Sequence, residues 1–221
     1  MEPAHLLRIL QLFDSQFPVG AFAHSGGLET YGQSGAGLDA LRELMTNQVM
    51  LGWGRSELAA ACLAWSAAAA PDAADQLTHL SARAGACKVI PGVRDTSIRL
   101  GRRTLTLLRR LHPAPLADLE VEPPHHAVIV GAAGRRLGLP RQELLLAYAH
   151  SLLSGSLAAA TRCMPVSPAQ AQTLIVELQP LLADAVERAL RDPDEMLFTC
   201  TPALDVRCHQ QVRLHTRLFQ S

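Results

Sequence analysis

The chain has 221 residues, 48% of them hydrophobic but only 4% aromatic, and 20 acidic side chains balance 20 basic ones. That length holds one large domain or two small ones, and the Leu- and Ala-rich composition favours close-packed helices over sandwiches built from Val, Ile, Tyr and Thr. Zero net charge excludes a global attraction to nucleic acid or to an anionic membrane.

Helical periodicity begins with a first helix over Ala4–Phe13. It runs into Phe17–Glu29 (FPVGAFAHSGGLE), which reads as neither helix nor strand. Pro18 removes a backbone donor, while Gly20, Gly26 and Gly27 make unusual dihedrals cheap. Phe17, Val19, Phe22 and Leu28 nevertheless need cover, and His24 and Ser25 form a polar tip. The stretch is a recognition loop or a well-packed connection.

Consecutive helices are expected over Leu38–Gly52, Ser56–Ala70 and Asp72–Val89, punctuated by Pro71 and Pro91-Gly92. Arg94–Leu111 is amphipathic, with Ile98, Leu105 and Leu108 facing inward and Arg99, Arg103 and Arg110 outward. Residues 1–75 carry three Arg against eight acids, whereas residues 76–112 carry seven Arg and Lys88 against Asp95 alone. That block is a face for an acidic partner or the solvated side of one helix. His112–Pro124, with four prolines, reads as an irregular connector.

The next helix is His125–Leu137, with Gly138 as its left-handed cap. Pro140 opens a long helix to Arg162 whose segment Leu144–Ala160 is the most membrane-like in the chain. It contains His150, Ser151, Ser154 and Ser156, and is read as a buried helix. Ser151, Gly155 and Ala159 share one face at i, i+4, i+8, where another helix could approach closely. Ser167, Pro168 and Gln170 form a capping-box start to a helix ending at Arg191 and kinked at Pro180. The tail, Pro202–Ser221, alternates apolar residues with Arg and His. The sum is one all-α domain over 1–221, a bundle of roughly eight to ten helices.

Catalytic signatures are scarce in the chain. No GxxxxGK[ST] loop occurs, and no HExxH or Glu-x-x-His pair points to a metalloenzyme helix, so neither nucleotide chemistry nor a metal helix is expected. His125 and His126 are adjacent, hence about 100° apart on a helix. His209 and His215 are off the spacing that puts two ligands on one face, and His24-Ser25 lacks a nucleophile elbow. The five cysteines (Cys62, Cys87, Cys163, Cys200, Cys208) form no Cys-x-x-Cys, which fits reduced thiols in a cytoplasmic protein, and no secretory signal pattern opens the chain. The residues read as a binding protein, not an enzyme, with no metal or cofactor of its own.

The glycine-rich loop, in an all-helical chain of this length, resembles the urease accessory protein UreF family. Arg94-Asp95-Thr96-Ser97 leading to Gly101-Arg102 is similar to that family's central R-E-x-S…G-R element, with Asp95 in place of the usual Glu. His126…Gly131…Leu137-Gly138-Leu139-Pro140, then Ala147-Tyr148 and His150, resembles its middle region. Pro202…Leu204-Asp205 with His209 and the ending Arg217-Leu218-Phe219-Gln220-Ser221 resembles its C-terminal signature. Val89-Ile90-Pro91-Gly92 is an apolar departure.

The resemblance implies a dimeric, non-enzymatic scaffold. Such a protein binds the accessory protein UreD (also called UreH), recruits and modulates the GTPase UreG, and helps deliver nickel and carbon dioxide to apo-urease. Under it, the partner-binding residues are Phe17, Pro18, Gly20, Phe22, His24, Ser25, Gly26, Gly27, Glu29 and Tyr31 of the loop. To these are added Arg94, Arg102 and Arg103 of the arginine block, and Arg217, Leu218, Phe219 and Ser221 of the tail. Two competing readings are an all-α metal-binding or small-ligand enzyme using His125, His126, His150 and Cys163, and a helical nucleic-acid module resting on residues 94–110.

Overall fold

The computed structural model describes residues 2–20, 25–211, 213–214 and 218–219. Among these there is no strand. Twelve helical segments follow in order: α1 (Pro3–Leu12), α2 (Leu28–Gln33), α3 (Leu38–Leu51), α4 (Trp53–Ala67), α5 (Ala73–Ala86), α6 (Pro91–Leu111), α7 (Pro113–Leu116), α8 (His126–Arg136), α9 (Arg141–Cys163), α10 (Pro168–Arg191), α11 (Pro193–Met196) and α12 (Pro202–Gln211). The excess over eight to ten comes from α7 and α11, four residues each, both started by a proline whose missing N–H costs nothing at a helix entrance.

Two helices of small residues form the centre. Leu58 to Cys62 of α4 and Ala127 to Ala133 of α8 are buried almost completely. A Cβ on Gly131 would sit 2.0 Å from the Ala61 carbonyl oxygen, so the two backbones touch where they cross. Around this pair, α3, α5, α9, α10 and α11 pack on α4, and α6 closes the other side of α8. The short α2 rests on α9, with α12 laid across it.

The local signals read from the sequence recur as geometry. Ser167 and Gln170 form both halves of the capping box, and Gly138 has φ +73°. The amide nitrogens of Leu139 and Gly138 donate to the carbonyls of Gly134 and Arg135, closing a Schellman cap. On α6, Leu105 and Leu108 are buried, Ile98 is half-buried, and Arg99, Arg103 and Arg110 are exposed. That helix starts at Pro91 instead of Arg94, again with proline in its first turn.

Two expectations differ. The tail beyond Pro202 begins with a helix, α12, whose one fully buried residue is polar, Gln211. The small-residue face of α9 is covered at Ala159 but open at Gly155, where an added Cβ would meet nothing within 4 Å. α9 is long and apolar enough to cross a membrane by length and composition, yet it packs here against α10, α4 and α2.

Candidate functional site

The glycine loop is pinned at both flanks. On its near side, Val19 is buried and Phe17 is half-buried against the core, while Pro18 is exposed. Arg103 of α6 donates from Nη1 to the Val19 carbonyl at 3.3 Å. Gly20, at φ +82°, makes room for it: a Cβ there would lie 2.6 Å from that same nitrogen. On its far side, Gly26 (φ +58°) and Gly27 (φ +92°) turn the chain into α2. A Cβ on Gly27 would meet Cys208 Sγ at 2.8 Å and Leu204 Cδ1 at 3.0 Å, both on α12.

That second flank is a polar junction between distant parts of the chain. Glu29 is 2% exposed and has no ion pair among the described residues. Its carboxylate instead accepts hydrogen bonds from Gln211 Nε2 (3.2 Å), Leu218 N (2.6 Å) and Phe219 N (3.4 Å). Gln211 also donates to Ser25 Oγ at 2.8 Å and accepts from Gly27 N at 3.1 Å. Thr30 donates to the Arg207 carbonyl, and the Arg207 guanidinium lies over the half-buried Tyr31 ring at 5.3 Å. Phe219 is buried beneath Arg162, 4.9 Å from its ring, whereas Leu218 is 71% exposed. Loop and tail, placed separately on the partner-binding surface from sequence, are one structural unit. Phe22, His24, Arg217 and Ser221 lie outside the described residues.

The arginine block is less free than its charge implies. Arg94 directs Nε and Nη2 to the Lys88 carbonyl at 3.2 and 2.9 Å, fastening the α5–α6 turn. Arg103 holds the loop, and Arg102 reaches Glu122 only at 3.7 Å with both side chains largely exposed. Ser97 accepts from the His126 amide at 3.3 Å, and Ser81 from the His125 amide at 3.4 Å, supplying two of the acceptors that the start of α8 lacks. A Cβ on Gly101 would lie 1.8 Å from the Pro124 carbonyl, so that glycine seats the entrance of α8.

Beneath the loop lies a cavity of about 260 Å³ with a polar floor that the sequence reading missed. Lys88 pairs with Glu57 at 2.6 Å, both nearly buried. Tyr148 donates to Glu57 Oε2 at 3.2 Å, and its oxygen meets His126 Nδ1 at 3.3 Å. Burial alone would raise the Glu57 pKa, but the ammonium and the two polar neighbours outweigh it, and the net shift is downward. Burial lowers the pKa of both His125 and His126 to about 4, so both imidazoles are neutral. His125 faces Ser97 Oγ at 3.1 Å, His126 faces Tyr148, and His150 is exposed. The three histidines of the competing enzyme reading therefore have separate surroundings. Cys163 is half-buried, its thiol pushed up to about 11 mainly by burial. Among the described residues no group of three His, Cys, Asp or Glu side chains is gathered to hold a metal. The cation of that floor, Lys88, is the chain's sole lysine.

The sequence profile of the UreF family matches residues 36–179. The urease accessory protein UreF of Nostoc sp. is 31% identical over 98% of this chain and 96% of its own length. This chain belongs to the UreF family. The UreF of Actinobacillus pleuropneumoniae serotype 5b is 30% identical, covering 96% of this chain and 97% of its own. That of Chromohalobacter salexigens is 30% identical over all of this chain and 96% of its own. The motifs that carry the UreF resemblance have structural duties here. Ser97 and Gly101 set the entrance of α8, Arg94 fastens the α5–α6 turn, Gly131 and Gly138 fix the crossing and the end of α8, and Leu204 packs on Gly27.

Proposed function

We propose that this UreF-family chain is a non-enzymatic scaffold for assembly of the urease nickel site, acting in the cytoplasm as a homodimer. It binds a UreD/UreH-type accessory protein, recruits and modulates a UreG-type GTPase, and presents both to apo-urease. Nickel is cargo in this scheme, not a resident cofactor, and neither nucleic acid nor membrane is a partner. The observation that carries the reading is the junction of glycine loop and tail in a chain of this family. A buried carboxylate holding a chain terminus on a glycine turn makes a preorganised surface, which lowers the entropic cost of docking. Exposed Leu6, Leu7 and Leu10 on α1, and exposed Leu218 at the junction, add apolar area for contact.

Of the three arginines, Arg102 is the one suited to a partner, because Arg94 and Arg103 hold backbone carbonyls of their own chain. The test is GTP hydrolysis by the UreG-type protein, alone, with the UreD-type protein, and with this chain added. The hydrolysis rate should change on addition of this chain, and Arg102→Ala should reduce the change while leaving UreD-type binding intact. A rate indifferent to this chain would refute the proposal.

A further inference from the structure

The turn from α8 into α9 (RRLGLPR, residues 135–141) carries three arginines and no acid. Trp65, near the end of α4, is pinned to it, with Nε1 donating to the Leu139 carbonyl at 3.0 Å. Two guanidiniums converge on that one half-buried ring: Arg135 Cζ lies 4.4 Å from its centre and Arg141 Cζ 5.4 Å. Arg8 of α1 joins the same turn, donating from Nη1 to the Leu137 carbonyl at 3.1 Å. Arg136 pairs with Asp118 at 3.3 Å. Arg8, Arg135 and Arg141 have no ion pair among the described residues, and Arg8 and Arg135 are exposed.

Local stability explains only part of this arrangement. Arg135 lies in the last turn of α8, where a cation suits the helix dipole, but Arg141 is the first residue of α9, where the dipole opposes it. Holding both at one ring also sets like charge beside like charge. The ring attracts each guanidinium through its π face, and stacking leaves the in-plane N–H donors open to an acceptor. Arg135 makes no hydrogen bond among the described residues, and Arg141 gives one N–H to Ser66 Oγ at 3.4 Å. Trp and Arg, with exposed Leu7 next to Arg8 on α1, make the composition of a protein-docking hot spot. A patch one ring wide on a chain of zero net charge offers no track for a nucleic-acid backbone.

We propose that this patch docks an acidic segment of a partner protein, its side-chain carboxylates bridging Arg135 and Arg141 beside Trp65. Carboxylates relieve the repulsion between the two arginines, and each guanidinium edge matches a planar, bidentate acceptor. The surface is separate from Arg102 on α6 and does not depend on the urease role.

Three probes test this: a hexaglutamate peptide, a hexaglutamine peptide and inorganic phosphate. Each is titrated into the intact protein at low salt and followed by the 15N shifts of arginine Nε and tryptophan Nε1. Hexaglutamate should saturate with the Arg135, Arg141 and Trp65 resonances moving together, hexaglutamine should not bind, and phosphate should bind about tenfold more weakly. Arg135→Gln and Arg141→Gln should each weaken hexaglutamate about fivefold, and Arg135→Lys, which keeps the charge but not the fork, should restore little of that loss. Arg191→Gln is the control and should leave binding unchanged. Arg191 is exposed and close in sequence to Glu195, whose carbonyl Arg55 holds at the opposite end of α4. Equal losses from Arg191→Gln and Arg135→Gln, phosphate binding as tight as hexaglutamate, or no saturation by hexaglutamate at about 10 mM would overturn the proposal.

Discussion

A carboxylate withdrawn from solvent needs donors, and Glu29, with no ion pair among the described residues, draws them from a side-chain amide and two backbone amides near the other end of the chain. The same economy governs the histidines. His125 and His126 sit at the start of α8 as neutral rings, with pKa values lowered from 6.5 to about 4 by burial. The unfolded chain takes up protons on these rings below about pH 6.5 and the folded chain does not. Their contribution to stability is therefore complete above pH 6.5 and is lost as the pH falls toward 4. Ring-carbon NMR should show neither imidazole titrating until about pH 4. A midpoint near 6.5 for either would contradict their burial.

At the scale of elements, the α4–α8 crossing depends on the absence of a single methyl group. Gly131→Ala places a Cβ 2.0 Å from a backbone oxygen that cannot step aside, and should cost about 3 kcal/mol in urea unfolding. Gly155→Ala is the control, since its Cβ would enter open space on α9, and it should gain about 0.5–1 kcal/mol from helix propensity. Equal effects from the two substitutions would mean that the crossing is looser than described. The long helices were legible because each has a period, a breaker or a cap: Pro71, Gly138, and the Ser167–Gln170 box. The short helices α2 and α12 were not. A six-residue helix has no period to read, and tertiary contacts, not propensity, stabilise such pieces. α12 buries a glutamine, so its inward face looks polar in sequence.

At the scale of the molecule, the two ends of the chain meet across a helical frame. Composition, glycine placement and the resemblance to the UreF family pointed to the loop and to the tail. That they are one unit was not legible, because Glu29, Gln211 and Ser25 are joined by contacts of more than 180 residues' separation. Sequence marked Arg103 as outward charge and offered Arg94 to a partner, but both guanidiniums reach carbonyl groups whose positions only the fold defines.

The central claim is that this junction forms the docking surface for the UreD/UreH-type partner. A double-mutant cycle tests it directly, with binding of that partner measured for the wild type, Glu29→Gln, deletion of residues 217–221, and both together, all at matched helical content. Each single change should weaken binding about tenfold or more, and the combination should be little worse than the stronger single change, because both disrupt the same junction. Undiminished binding in the single variants, or losses that simply add in free energy, would contradict the account.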